Sequence, residues 1–146
     1  MTSGIYGHLT VTSIDKQGNR FNYETPNTLT NEASRVSAHA LVGHNLTNLA
    51  VTKFGVGTDN TTPTRADGNL GNLVHQQDVN TITFPAPGQV EFKTVLEFLT
   101  TANGFSLTEA GLYSLNGTTL FARQVHSALP KDENFRLEYV WRIVFT

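Results

Sequence analysis

The chain has 146 residues, a formal net charge of −2 and no cysteine. This length is typical of one domain with its own core, and without cysteine there is no disulfide, thiolate nucleophile or cysteine metal site. Ten Lys and Arg against twelve Asp and Glu give no basic surface for nucleic acid or an anionic membrane, and no apolar run is long enough to span a bilayer.

The surface is also poor in charge. Charged residues make up only 15% of the chain, against about 25% in ordinary soluble domains. This composition suits a surface that meets other protein, where charge is costly to desolvate. An uncharged extracellular β-domain would have the same composition.

The first 24 residues predict a β-hairpin, because apolar and polar residues alternate on both sides of a turn at 15–19. Pro26 is expected to end the second strand. We interpret residues 1–24 as an N-terminal hairpin, either an arm or an added edge that reaches a neighbouring subunit, within a single domain overall. The main domain would then span residues 25–146.

Residues 30–42 predict the one convincing helix. Small and apolar side chains recur on one side at helical spacing, namely Ala33, Val36, Ser37, Ala40 and Leu41. Thr30 can cap its first turn and Gly43 can end it. Such a small-residue stripe predicts close packing on a sheet face.

Residues 46–56 predict a central strand, because both of its sides are partly apolar. The loop at 58–69 then has no periodicity over about a dozen residues, which in a compact domain indicates function, an interface or mobility. We interpret its Asp59 and Asp67 as solvated, since a calcium loop needs several carboxylates at tight spacing.

Three further strands are predicted at 79–84, 90–98 and 137–145, with a loop at 126–134 before the last. The last strand carries five large apolar residues on one face, which predicts a main contribution to the core: Leu137, Tyr139, Trp141, Ile143 and Phe145. The whole pattern predicts a mainly β protein, an antiparallel β-sandwich of about eight short strands with one α-helix at about residues 30–42.

Residues 103–124 predict two strands joined by a tight turn at Asn116 and Gly117, because both central residues of a type I′ turn need positive φ. Glu109 and Gly111 interrupt the apolar pattern of the first strand. A glycine inside a strand marks a bulge or a close backbone approach. The carboxylate is either solvated or held by backbone N–H groups and an arginine, for which Arg123 and Arg142 are candidates.

The segment Thr108-Glu109-Ala110-Gly111-Leu112-Tyr113, followed by Leu120-Phe121-Ala122-Arg123, resembles the E-x-G-L-[YF] signature of the tail-collar fibre family of tailed bacteriophages. The stretch at 54–57 and the residues Leu70, Asn72 and Val74 follow the family's order, and the resemblance covers residues 25–146. The residues expected to form the structural signature are Glu109, Gly111, Leu112, Tyr113, Asn116, Gly117, Arg123, Gly55, Gly57 and Trp141.

The resemblance implies the virion-proximal domain of side tail fibres, here as a standalone domain without the long fibre that usually follows. We expect a non-enzymatic structural protein of the virion, assembled in the bacterial cytoplasm, that acts as a fibre-attachment, collar or baseplate adaptor. Its expected partners are copies of itself, with a trimer as one arrangement, and other tail, neck or capsid proteins. The candidate interface residues are Tyr6, His8, Phe21, Tyr23, Asp59, Asn60, Thr62, Pro63 and Arg65.

Two other classes of function stay open. A capsid-decorating or glycan-binding module would need exposed aromatic residues, for which Tyr6, Tyr23 and Tyr113 are candidates. A hydrolase would need Glu109 and a second carboxylate, such as Glu91 or Glu97, across a cleft.

No metal, cofactor or catalytic residue is expected. The five histidines make no metal-binding pair by their spacing, and His39 and His44 would point to different sides of a helix. Neither serine of the Glu109 segment, Ser106 or Ser114, lies in a nucleophile-elbow motif.

Overall fold

A computed structural model describes residues 4–44 and 46–146. The described chain forms nine strands, two helices and a single-turn 3-10 segment at Leu115–Gly117. The strands are β1 (Ile5–Asp15), β2 (Arg20–Leu29), β3 (Lys53–Gly57), β4 (Leu73–Asp78), β5 (Thr81–Thr83), β6 (Gln89–Leu96), β7 (Phe105–Ser114), β8 (Thr119–Lys131) and β9 (Phe135–Phe145). The helices are α1 (Asn31–Leu41) and the short α2 (Leu46–Leu49).

The strands form one antiparallel sheet in the order β4-β3-β7-β8-β2-β1-β9-β6-β5. Strand β2 pairs with β1 along most of its length but with β8 only at Thr28 and Leu29. It therefore connects the two halves of the sheet. The sheet curls until its halves face each other, with the rings of Phe54 and Tyr139 4.7 Å apart. The predicted mainly β antiparallel fold with its helix at 30–42 is confirmed, with one strand more than expected.

The two edge strands are brought together by the chain itself. Strand β4 leads into β5 through residues 79 and 80 only. The Val79 N–H donates to the Thr52 carbonyl at 2.9 Å, and the Asn80 N–H donates to the Lys93 carbonyl at 2.9 Å. The sheet is therefore closed at this point, although β4 and β5 do not pair.

The predicted face of β9 forms the centre of the core. Leu137, Tyr139, Trp141 and Ile143 are each at most 1% exposed, whereas Phe145 is 45% exposed. Helix α1 covers this core with Ala33 and Val36.

The ends of α1 only partly follow the prediction. Gly43 has φ 72° and its N–H donates to the Ala40 carbonyl, as expected of a residue that ends a helix. Thr30 occupies the cap position, but its hydroxyl donates to the Leu120 carbonyl at 2.6 Å. It therefore ties the helix to β8 and does not cap the first turn.

The predicted N-terminal hairpin is present, and it is built into the main sheet and does not stand apart from it as an arm. Strand β1 is an interior strand between β2 and β9, and Leu9 and Val11 are fully buried. Strand β2 also runs through Pro26 to Leu29, across the proposed boundary. The hairpin belongs to the same sheet and core as the rest of the chain.

Two further predictions need correction. The strand predicted at 46–56 begins only at Lys53. Leu46–Leu49 instead forms a helical turn, which buries Leu49 and packs against α1. Residues 126–131 belong to β8 and not to a loop. The strand tolerates Lys131 because its buried ammonium group donates to the Asn103 side-chain oxygen at 2.6 Å and to two main-chain carbonyls.

Candidate functional site

The Glu109 carboxylate is the centre of a buried polar cluster. Glu109 lies on β7 with no exposed surface. Its oxygens accept backbone N–H groups from Asp59 at 3.0 Å, Gly71 at 2.8 Å and Asn72 at 2.8 Å. All three donors belong to the segment 58–72, which joins β3 to β4. The carboxylate therefore fastens this loop to the sheet.

Arg123 on β8 supplies the counter-charge. It pairs across the strands with Gly111 and is 2% exposed, and its Nε donates to a Glu109 oxygen at 3.1 Å. Of the two arginines that the sequence offered, Arg123 makes the contact. Arg142 instead pairs with Glu91 at 2.8 Å on the far half of the sheet.

The guanidinium of Arg123 also holds the loop by its other nitrogens. Nη1 donates to the Asp67 carboxylate at 3.1 Å and to the Thr61 carbonyl at 3.0 Å, and Nη2 lies 3.3 Å from the Asp59 carboxylate. The interpretation of Asp59 and Asp67 as solvated loop acids is therefore wrong. Both are partners of a buried cation.

One arginine faces three carboxylates, so hydrogen bonds must stabilise the excess negative charge. Burial acts to raise the pKa of Asp67, but two hydrogen bonds from Thr64 and the charge of Arg123 outweigh it and leave the pKa below its usual value. Asp59 likewise accepts the Thr61 hydroxyl at 3.0 Å. The cluster is internally satisfied.

The signature glycines make room for this arrangement. A Cβ atom on Gly57 would overlap the Asn72 carbonyl oxygen and the Glu109 carboxylate. Gly55 and Gly111 face each other across β3 and β7, and a Cβ on Gly111 would lie 2.8 Å from a Leu120 methyl group. The same Cβ position lies 2.9 Å from a Leu70 methyl group and 3.2 Å from the Ala122 carbonyl oxygen.

The rest of the signature is also structural in its contacts. Leu112 is fully buried, and Tyr113 is 2% exposed and donates its hydroxyl to the Asn69 side-chain oxygen. Burial, together with the nearby Glu109 charge, raises the pKa of Tyr113 to about 12. Trp141 lies in the core opposite Leu9. None of these groups presents a free polar atom to solvent as a ligand site would.

The turn at Asn116 and Gly117 has positive φ at both residues, 57° and 86°, and the Thr118 N–H donates to the Leu115 carbonyl at 3.2 Å. Leu115 also has φ 50°. Strand β7 therefore ends at Ser114 and β8 begins at Thr119. The connection between them is longer than the two-residue turn that was predicted.

The candidate interface residues fall on two separate elements. Tyr6, His8 and Phe21 are exposed on the β1–β2 hairpin, whereas Tyr23 is half-buried near the His126 ring. Asn60, Thr62 and Arg65 are exposed on the loop, with Pro63 half-buried and Asp59 held by Arg123. Of the three tyrosines considered for glycan binding, only Tyr6 is largely exposed.

The residues considered for chemistry are not brought together. Glu91 pairs with Arg142 and Glu97 with Arg136, so neither forms a carboxylate pair with Glu109. Across residues 4–44 and 46–146, no three His, Asp or Glu side chains are grouped to hold a metal ion. Within these same ranges no helix is long and apolar enough to cross a membrane.

The prediction that His39 and His44 point to different sides of a helix is wrong. His44 follows the end of α1, and its Nδ1 lies 2.9 Å from Nδ1 of His39. The two rings contact each other because the helix ends at Leu41 and the turn brings His44 back.

Comparison of the chain with protein-family models, with curated proteins and with solved structures gives no match. The resemblance to the tail-collar fibre family therefore rests on the motif residues at 108–123 and on their order relative to 54–57 and 70–74.

Proposed function

We propose that the protein is a non-enzymatic structural component of a tailed-phage virion, an adaptor of the fibre-attachment, collar or baseplate type. One observation carries this proposal. The residues that resemble the family signature use their polar groups internally, where Glu109 and Arg123 fasten the loop 58–72 to β7 and β8.

A structural role fits this geometry better than acid–base chemistry. A general base must come within hydrogen-bond reach of its substrate, but Glu109 has no exposed surface and accepts four hydrogen bonds from the protein. A substrate would have to displace the loop to reach it.

The fixed loop also suits an adaptor. Asn60, Thr62 and Arg65 are exposed on a segment whose backbone is bound at both ends. A loop that is ordered before binding loses less conformational entropy when a partner docks. We therefore propose this loop as the contact with a neighbouring virion protein.

The test is incorporation into particles. In density-gradient-purified virions of the phage that encodes the chain, quantitative mass spectrometry should find it in a fixed ratio to the tail proteins. Loss of the protein from the particles during purification would overturn the proposal.

A charge reversal tests the loop. Arg65→Glu should fold normally and enter particles at least about tenfold less often. Lys16→Glu is the matched control, because Lys16 is also an exposed cation but lies on the β1–β2 turn, and its incorporation should not change. Equal incorporation of both variants would exclude the loop as the contact.

A further inference from the structure

A wide apolar groove lies between the end of α1, the β5–β6 connection and the end of β9. It encloses about 940 Å³ and is lined by Ala40, Ala50, Phe84, Val90, Phe145 and the 85–89 turn. Phe84 is 78% exposed and Phe145 is 45% exposed. Large aromatic side chains on an open surface indicate a contact with another apolar surface.

The groove continues towards the core. A second depression shares Ala40, Val90 and Phe145 with it and reaches Val36 and Phe121 beneath. The floor of the groove is therefore made by packed core residues, which gives it a fixed shape.

Exposed apolar side chains also mark the end of α1, next in the chain to a residue that lines the groove. Leu41 and Val42 directly follow Ala40 and are 87% and 78% exposed. A cavity and projecting side chains side by side are what a self-complementary contact requires, since each copy can supply what the other receives.

The three segments that build this face carry no ionised side chain. Residues 36–52, 79–90 and 143–146 contain no Asp, Glu, Lys or Arg. Two copies can therefore place the same face together without opposing like charges. A small polar ligand is disfavoured, because it would need placed polar groups, and Gln89 supplies the one polar side chain among the groove residues.

We propose that this surface, the Phe84 face (Ala40–Val42, Phe84–Val90 and Phe145), is the contact between two copies of the chain. The inference rests on the proposed function for the expectation that copies assemble, and it adds the surface by which they do so.

The experiment compares two variants with matched exposure. Leu99 is also 78% exposed, but it lies between β6 and β7 beside Lys16 and Glu133. In sedimentation and light scattering over about 5–500 µM, the wild type should self-associate. Phe84→Glu should weaken self-association at least about tenfold, because it introduces a charge into an apolar contact, whereas Leu99→Glu should leave it unchanged.

Leu41→Glu serves as a second variant and should weaken self-association to a similar degree. Circular dichroism and thermal unfolding should show that each variant is folded, since both side chains are largely exposed. A wild type that stays monomeric, or equal self-association of Phe84→Glu and wild type, would overturn the inference.

Failure of this inference is distinguishable from failure of the proposed function. A monomeric wild type that still enters virions leaves the function standing and removes the self-contact. If Phe84→Glu then failed to enter virions, the Phe84 face would contact a different protein. Self-association through the Phe84 face in a protein absent from purified particles would instead remove the virion role.

Discussion

At the scale of single residues, the burial of the Glu109 carboxylate depends on the hydrogen bonds and the ion pair that it forms. Removing a carboxylate and a guanidinium from water costs several kcal/mol per ion, which only close pairing and further hydrogen bonds offset. Glu109 and Arg123 meet this condition together, with three backbone N–H groups on the acid and three further acceptors around the base. Arg123 is therefore the charged partner of Glu109, whereas Arg123 itself also pairs with Asp59 and Asp67.

We expect Glu109→Gln to lower the free energy of unfolding by about 1–3 kcal/mol, because the amide places N–H donors where backbone N–H groups now donate and a buried backbone N–H group loses its acceptor. Arg123 keeps Asp59 and Asp67 as partners in this variant. Glu91→Gln is the control, because Glu91 pairs with the half-exposed Arg142 and should cost less than about 1 kcal/mol. Denaturant unfolding of both variants measures the difference, and equal losses would refute a supporting role for Glu109.

His126 is held in one neutral form by its contacts. Its Nδ1 lies 2.8 Å from the Ser127 carbonyl, which can only accept, so Nδ1 carries the proton. Nε2 is then free to accept the Tyr139 hydroxyl at 3.0 Å. Burial lowers the pKa of His126, and this outweighs the Ser127 hydrogen bond and the Glu109 charge, which raise it.

This lowered pKa predicts a pH dependence of stability. Below about pH 6.5 the unfolded chain binds a proton at His126 that the folded chain does not, so the free energy of unfolding falls as the pH falls from about 6.5 towards the folded pKa. The slope from this one group is at most about 1.4 kcal/mol per pH unit. Denaturant unfolding at pH 5, 6 and 8 should show the slope in the wild type, and His126→Gln should reduce it. A slope that survives unchanged in His126→Gln would assign it elsewhere.

At the scale of elements, the loop 58–72 shows what sequence reasoning could and could not reach. Its length and polar composition predict an irregular segment, and the alternation of β9 predicts a buried strand face. The docking of the loop has no sequence signal, because Glu109 binds it mostly through backbone N–H groups that every residue other than proline carries. Asp59 and Asp67 look like solvated acids in the sequence because their partner Arg123 is more than fifty residues away along the chain.

We expect Gly57→Ala to destabilise the protein by about 1–3 kcal/mol, because its Cβ would overlap the Asn72 carbonyl and the Glu109 carboxylate. Gly68→Ala is the control in the same loop, as no atom lies within 4 Å of its Cβ position. Hydrogen exchange should show faster exchange of the Asp59, Gly71 and Asn72 amides in Gly57→Ala only. Unchanged exchange would mean that the loop does not depend on the glycine.

The positions of the hairpin and of α2 in the fold are a second feature that the sequence does not predict. Alternation predicts that β1 and β2 are strands, but not that β1 lies between β2 and β9, because sheet order is decided by contacts such as that of Leu9 with Trp141. Leu46–Leu49 is too short for periodicity to separate helix from strand. Its form is set by packing against α1 and the turn at Leu115–Gly117.

At the scale of the whole molecule, one connection closes the curled sheet. The Asn80 side-chain oxygen accepts the Val95 N–H at 2.9 Å, and the Gln77 side chain of β4 donates to the Val95 carbonyl at 3.1 Å. Strand β6 is thereby tied to β4, although the two lie near opposite ends of the strand order. The two halves of the core are held together here by these side-chain bonds and by the backbone bonds of residues 79 and 80, and not by strand pairing.

We expect Asn80→Ala to lower the free energy of unfolding by about 1–3 kcal/mol, because the partly buried Val95 N–H loses its acceptor. The effect should be local as well as global, so that the amides of Val79 and Val95 exchange faster while those of β7 and β8 stay protected. Asn22→Ala is the control, since Asn22 accepts only the exposed Thr12 hydroxyl and should change neither quantity by more than about 0.5 kcal/mol. Uniformly faster exchange in every strand would show that the sheet opens as one cooperative unit, and that Asn80 is not a separate point of closure.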